Sequence, residues 1–321
     1  MASSESDDTR PLDGLFAAFG RMCCTENSSI SRDINDPNLT RHARGMEEDE
    51  VPTTADSRQL VPMQAATAAL VDAPEVEVED GARYRGQWMG NLRHGQGVLY
   101  KKDGQMYQGA FVEGLPHGYG VFKAANGNMY EGQWFKDQAH GQGKFTHVDG
   151  SSYEGQWFED EKNGRGLEVW ADGARYEGEF VKGVKHGHGV YEAGTGIRYE
   201  GQFRNDRMDG EGKYVFVDGR VFIGQWKAGH MDGKGKMTWV SGSTYEGQYS
   251  KDVKSGEGVY TWPNGQVYRG QWRNGKQDGY GEFTDANGVR TWGEWRAGEP
   301  ASGPQVLAPG AATPTPPAVR H

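Results

Sequence analysis

From Tyr84 onward the chain writes the same phrase ten times, each start 23 residues after the last. "YEGQWFKDQAHGQGKF" begins at Tyr130, and "YEGQWFEDEKNGRGLE" begins at Tyr153. With that tyrosine as position 1, the units start at Tyr84, Tyr107, Tyr130, Tyr153, Tyr176, Tyr199, Phe222, Tyr245, Tyr268 and Thr291, with no insertion or deletion. An unbroken short period is the mark of a repeat architecture, in which each unit packs only on its neighbours. Glycine fills position 3 (Gly86 to Gly293), positions 12 and 14 (Gly95 and Gly97 to Gly279 and Gly281) and position 21 (Gly81 to Gly288). These columns hold 38 of the 50 glycines, so the glycine excess belongs to the repeat rather than to a linker. Position 5 is always aromatic: Trp88, Phe111, Trp134, Trp157, Phe180, Phe203, Trp226, Tyr249, Trp272 and Trp295.

Positions 1 to 5 alternate, which is strand periodicity. Position 8 is always Gly, Asn or Asp, the types that tolerate a left-handed backbone in a turn. A second strand is expected from about position 12 to 18, closed in most units by Asp-Gly or Asn-Gly, as at Asp103-Gly104 and Asn264-Gly265. Pairing across that turn sets position 5 opposite 12, 3 opposite 14 and 1 opposite 16. One face then carries rings at 1, 5 and 16 over a floor of glycines, an arrangement that stabilises sheets. The other face, at positions 2, 4 and 13, is mainly Glu, Gln, Arg and Lys. The expected fold is all-β: an elongated, single-layer antiparallel meander of 23-residue hairpins.

Residues 1–83 carry seven arginines and 17 acids, whereas the rest balances 28 basic with 28 acidic groups. The neutral array lacks the basic stripe of a nucleic-acid binder. No run of 18 apolar residues marks a membrane span, and the first 25 residues show no signal-peptide pattern. Cys23 and Cys24 are the only cysteines, and they suit a reducing, cytoplasmic setting.

The phrases "YEGQWFKDQAHGQG" and "YEGQYSKDVKSGEGVYTWPNG" resemble the MORN repeat (membrane occupation and recognition nexus), over about 81–299. Phe222, Thr291 and Glu168 depart from its aromatic pattern. The resemblance implies an extended β scaffold or adaptor at membrane junctions, cilia or the cortical cytoskeleton. It also implies a homodimer through the last repeats, around Phe222–Trp295, where a terminal hairpin would leave an open edge. The expected organisation is an acidic, mostly disordered extension (1–73) with an amphipathic helix over 11–22. The repeat array follows (74–299), opened by a capping strand at 74–80. A disordered Pro/Ala-rich tail (300–321) closes the chain.

Leu12, Leu15, Phe16, Phe19 and Met22 share one helical face immediately before Cys23 and Cys24, which makes those thiols candidates for S-palmitoylation. Ala2 rules out N-myristoylation. Two acyl chains would anchor stably where one would not. The expected partner-binding face comprises the tyrosines at position 1, the rings at position 5 through Trp272, and Glu168. The Gly-x-Gly pairs read as structural rather than as phosphate loops, because no helix follows them. His94, His117, His140 and His186 at position 11 read as turn residues: equivalent positions lie roughly 9–10 Å apart, too far to share a metal. No cofactor, metal site or catalytic constellation is expected.

The reading is therefore a non-catalytic scaffold that links a membrane's cytoplasmic face to cytoskeletal or cortical proteins. The alternative is a soluble part of a cilium or flagellum. Direct phosphoinositide binding is expected to be weak, because acids cancel the bases near the anionic surface. Glu168 falls in the aromatic column between Phe145 and Tyr191. A buried carboxylate without a partner is costly. It is expected either to escape, by reaching the ribbon's edge or through a local bulge at Leu167 and Val169, or to meet a basic group from a bound partner. If it is a mere defect, Glu168→Phe should stabilise the array.

Overall fold

The computed structural model describes residues 69–301 and 303–315. The 11–22 helix and Cys23 and Cys24 lie outside the described residues. The described part divides between Gly141 and Gln142 into two compact units. Each is an antiparallel meander of hairpins, as the period dictates.

One repeat shows the construction. Arg175–Val181 forms the first strand and Val184–Glu192 the second, joined by a two-residue turn. Turns of this kind take positive φ at both central residues, as at Asn205 and Asp206 (50° and 65°). Position 8 had announced this requirement, but position 7 had not. Lys136, Glu159 and Lys251 all adopt it, although nothing in those side chains advertises a left-handed backbone.

Across the Asp-Gly turns the expected register holds. Gly187 pairs with Phe203, Gly189 with Gly201 and Tyr191 with Tyr199, which are positions 12–5, 14–3 and 16–1. Inside each hairpin the register differs. Tyr176 pairs with Tyr191 and Gly178 with Gly189, but then a bulge intervenes and Phe180 pairs with Lys185. The second strand thus begins at position 9, not 12, and position 10 lies opposite the position 5 ring. The bulge is built from two repeat residues. Glycine at position 12 takes positive φ (67° at Gly95, 113° at Gly210), which a side chain resists. The position 4 glutamine then reaches over it: Gln202 Oε1 accepts the Glu211 N–H at 2.9 Å, and Gln156 Oε1 the Arg165 N–H at 2.8 Å. A Cβ on Gly210 would collide with that amide.

Both ends of the array depart from expectation. The opening strand runs Val71–Glu77 rather than 74–80. It pairs Val71 with Trp88 and Val76 with Tyr84, with an irregularity between Ala73 and Val76. Pro74 sits in that irregularity because it has no N–H to give a ladder. At the other end, residues 303–315 are not a loose tail. Gln305–Val306 is a strand that pairs with Arg290–Arg296. The edge on which the homodimer was expected is therefore occupied by the chain itself, because an unpaired strand edge leaves backbone groups to be satisfied.

Candidate protein-interaction surface

The face expected to meet partners is chiefly a core. Tyr176 stands nearly perpendicular to Phe180 of its own repeat and to Phe203 of the next, with centroids 5.2 and 5.0 Å apart. Tyr199, Tyr245 and Tyr268 repeat the arrangement. Each position 1 tyrosine hydroxyl donates to the backbone carbonyl of position 4, at 2.9 Å from Tyr199 to Gln202 and 2.8 Å from Tyr84 to Gln87. The ring lies flat over the glycine floor, so a Cβ on Gly212 or Gly189 would fall onto Tyr199 or Tyr176. Three position 5 indoles donate to the position 14 carbonyl of the preceding repeat: Trp134 to Gly120, Trp157 to Gly143 and Trp272 to Gly258, at 3.0–3.1 Å; the Trp226 indole N–H is buried without such a bond.

Of the residues expected to bind partners, Tyr84, Tyr107, Phe111, Tyr130, Trp134, Tyr153, Trp157, Tyr176, Phe180, Tyr199, Phe203, Trp226, Tyr245, Tyr249, Tyr268 and Trp272 are all buried, none more than 6% exposed. Only Trp88 and Glu168 are half-buried. The burial has a simple cause: bare glycine lets each ring sink onto the sheet, and position 10 covers it from beside. That column carries Pro116, Ala139, Met208, Met231, Lys185 and Lys254, all buried. Reading the second strand from position 12 had hidden it.

Glu168 neither bulges out nor waits for a partner. It keeps the regular register, opposite Tyr153 on one side and Tyr176 on the other. Its carboxylate meets Lys162 Nζ at 2.5 Å and Lys185 Nζ at 3.0 Å, both from the position 10 column. Burial pushes the Glu168 pKa up, but the two ammonium groups outweigh it and hold the carboxyl below its ordinary value. Lys185 Nζ also lies 4.8 Å from the Trp170 ring centre. Lys254 Nζ sits among Trp239, Tyr245, Tyr260 and Trp272, 4.9–5.6 Å from their centres, a cation–π setting.

What this face does present is a rim. In the unit 142–315, positions 16 and 18 place half-buried rings beside the core: Trp170, Tyr191, Trp239, Tyr260, Trp262 and Phe283. They touch in pairs, Trp170–Tyr191 at 6.0 Å, Trp239–Tyr260 at 5.6 Å, Tyr260–Trp262 at 4.6 Å and Trp262–Phe283 at 5.9 Å. Aromatic side chains with one wet face are the type enriched where proteins meet. Position 18 carried no periodic signal strong enough to find it, because other repeats place Lys101, Ala124 or His147 there.

The position 11 column is structural. His94 Nδ1 accepts the Glu113 N–H at 3.5 Å, and Asp209 and Asp278 accept the N–H of Ala228 and Ala297 at 3.1 and 3.2 Å. Imidazole and carboxylate do the same work, satisfying a turn N–H of the next hairpin. Among the described residues no cluster of His, Cys, Asp or Glu is placed to hold a metal ion. No described helix is long and apolar enough to cross a membrane.

The MORN repeat profile matches nine consecutive units, from 84–106 to 268–290. No curated protein shows significant similarity to the chain. Similar solved structures include the G-box domain of the microcephaly protein CPAP, at 14% identity and a TM-score of 0.39, covering 60% of this chain and 99% of that one. The TCP domain of Drosophila melanogaster SAS-4, in complex with a proline-rich motif of Ana2, aligns at 11% identity and a TM-score of 0.29, covering 67% and 99%. The TCP10 domain of Danio rerio CPAP aligns at 12% and 0.25, covering 73% and 97%.

Proposed function

The chain belongs to the MORN-repeat family, and from that premise we propose that it is a non-catalytic scaffold that holds cytoskeletal or cortical proteins at the cytoplasmic face of a membrane. The observation that supports protein binding is the rim of half-buried rings beside a core that is already complete. A side chain that the fold does not need to bury, yet that is large and aromatic, suits a docking partner. Replacing Trp170, Trp239 and Trp262 together with serine in tagged full-length protein should leave it folded and remove its co-purifying proteins. Retention of the same set of proteins by a folded variant contradicts the assignment of the rim.

The membrane half of the proposal rests on Cys23 and Cys24 beside the 11–22 apolar face. The Cys23→Ser, Cys24→Ser chain should leave the membrane fraction and lose its thioester-linked acyl groups. Unchanged fractionation, with no acyl group on the parent chain, removes the anchor. A fluorescent tag along an axoneme would instead favour the soluble ciliary role. The balanced charge of the array supports weak, salt-sensitive binding to phosphoinositide vesicles. Tight binding at physiological salt would contradict it.

A further inference from the structure

The C-terminal segment keeps the repeat in phase. Counted from Thr291, Arg296 pairs with Glu299 and Trp295 with Pro300, which are positions 6–9 and 5–10. Trp292 pairs with Gln305 and Thr291 with Val306, positions 2–15 and 1–16. Every pair has its counterpart in the hairpin Val267–Arg273 and Lys276–Thr284, except that Pro304 now stands where Gly281 does. The closing turn is repeated as well: Ala311 N–H donates to Ala308 O, as Gly288 N–H does to Asp285 O. Gly293 and Trp295 keep positions 3 and 5, but the other residues that define the repeat have been exchanged. Thr291 replaces the tyrosine, Ser302 and Pro304 replace the glycines of positions 12 and 14, and Ala311 replaces that of position 21.

The exchanges at Pro304 and Thr291 act on the edge. The Leu307 N–H points inward, donating to Arg290 O at 2.9 Å. N–H groups alternate in direction along a strand, so those of positions 306 and 304 face outward, where the next hairpin would pair. Pro304 has no N–H to offer there. In the preceding repeat a Cβ on Gly270 would lie 2.5 Å from Gly281 Cα, whereas one on Gly293 would lie 3.4 Å from Pro304 Cα. The close glycine-to-glycine approach is relaxed, and Thr291 supplies no ring to cover it. Among the described residues, the chain after the turn does not start another strand. Arg290 binds Glu282 through Nε (2.8 Å) and Nη2 (2.6 Å), holds Ala311 O through Nη1 (2.8 Å), and Thr313 bonds to the same Glu282 carboxylate. This clasp draws the end back across the polar face to a strand already inside the array.

We infer that residues 291–313 are a degenerate tenth repeat that terminates the sheet, so that its C-terminal edge does not pair with a second copy of this chain. The neighbouring glycine columns make any unmodified edge a template for another hairpin, and this repeat removes both the donor at Pro304 and the ring at Thr291.

The test restores the repeat. In full-length protein, Thr291→Tyr, Ser302→Gly and Pro304→Gly are combined, and self-association is measured by sedimentation over a roughly 100-fold range of concentration. The restored chain should associate at least tenfold more tightly than the parent, with cross-links mapping to residues 300–313. A restored chain that is folded and associates no more than the parent overturns the inference. Amide exchange in the unaltered chain gives a second measure, independent of any variant. Leu307 should be protected and Val306 should exchange at least tenfold faster. Equal protection of the two overturns it too, since a covered outer edge would mean that the chain pairs there already.

Discussion

At the scale of single residues, the repeat is a set of steric and electrostatic constraints that each demand one residue type. The position 1 tyrosines are buried, and burial raises the pKa of Tyr84, Tyr107, Tyr153, Tyr176, Tyr199, Tyr245 and Tyr268 above the ordinary phenol value. The folded state therefore keeps its phenolic protons where the unfolded chain loses them. Their contribution is complete below the unfolded pKa and falls as pH rises above about 10, by about 1.4 kcal/mol per pH unit for each tyrosine. Thermal melting across pH 9 to 11 should show a steep loss of stability beginning near pH 10. A flat profile would mean the hydroxyls ionise freely.

Glu168 makes the opposite demand. Its lowered pKa means that its ion pairs contribute above the ordinary carboxylate range and are lost as pH falls through it. The Glu168→Phe substitution, which would stabilise an isolated defect, should here cost about 3–5 kcal/mol, because two lysine ammonium groups lose their buried partner. Denaturant unfolding decides the sign, and a more stable variant refutes the pairing with Lys162 and Lys185. The sequence made Glu168 conspicuous but hid its partners, because position 10 is Arg, Pro, Ala, Lys, Met or Gln in different repeats and reads as an unpatterned loop.

At the scale of the hairpin, most of the architecture was legible and one device was not. The 23-residue period, the glycine columns and the Asp-Gly turns specify the strands, the outer register and the ring face, because each rests on a residue type with one physical use. The inner bulge was illegible because its agent, the position 4 glutamine, looks like an ordinary solvent-facing residue. It bridges to a backbone N–H nine residues onward in the hairpins of Gln87, Gln156, Gln202, Gln225 and Gln271. Gln202→Ala should cost about 1 kcal/mol by orphaning the Glu211 N–H, and the amide exchange of Glu211 should accelerate. Gly210→Ala should cost more, since it meets both the positive φ and the Gln202 amide. If the two substitutions prove equally mild, the bulge does not organise the hairpin. The second strand of the tenth repeat was hidden for a related reason: its phase survives, but the glycines of positions 12, 14 and 21 do not.

At the scale of the molecule, the balance between core and rim is the central claim. A sheet of one layer normally has an open face that something must cover. Here the covering comes from within each unit, as rings sink onto glycine and position 10 closes over them. Scaffolding then falls to the residues that border this core rather than to the core itself. The most direct test compares two tryptophans of one unit in full-length protein. Trp272 is 5% exposed and bonded to Gly258 O, whereas Trp262 is half-buried on the rim. Trp272→Ala should lower unfolding free energy by about 3–5 kcal/mol, and Trp262→Ala by about 1 kcal/mol. Equal losses, or a larger loss at Trp262, would contradict the division of this face into a self-sufficient core and a half-buried aromatic rim.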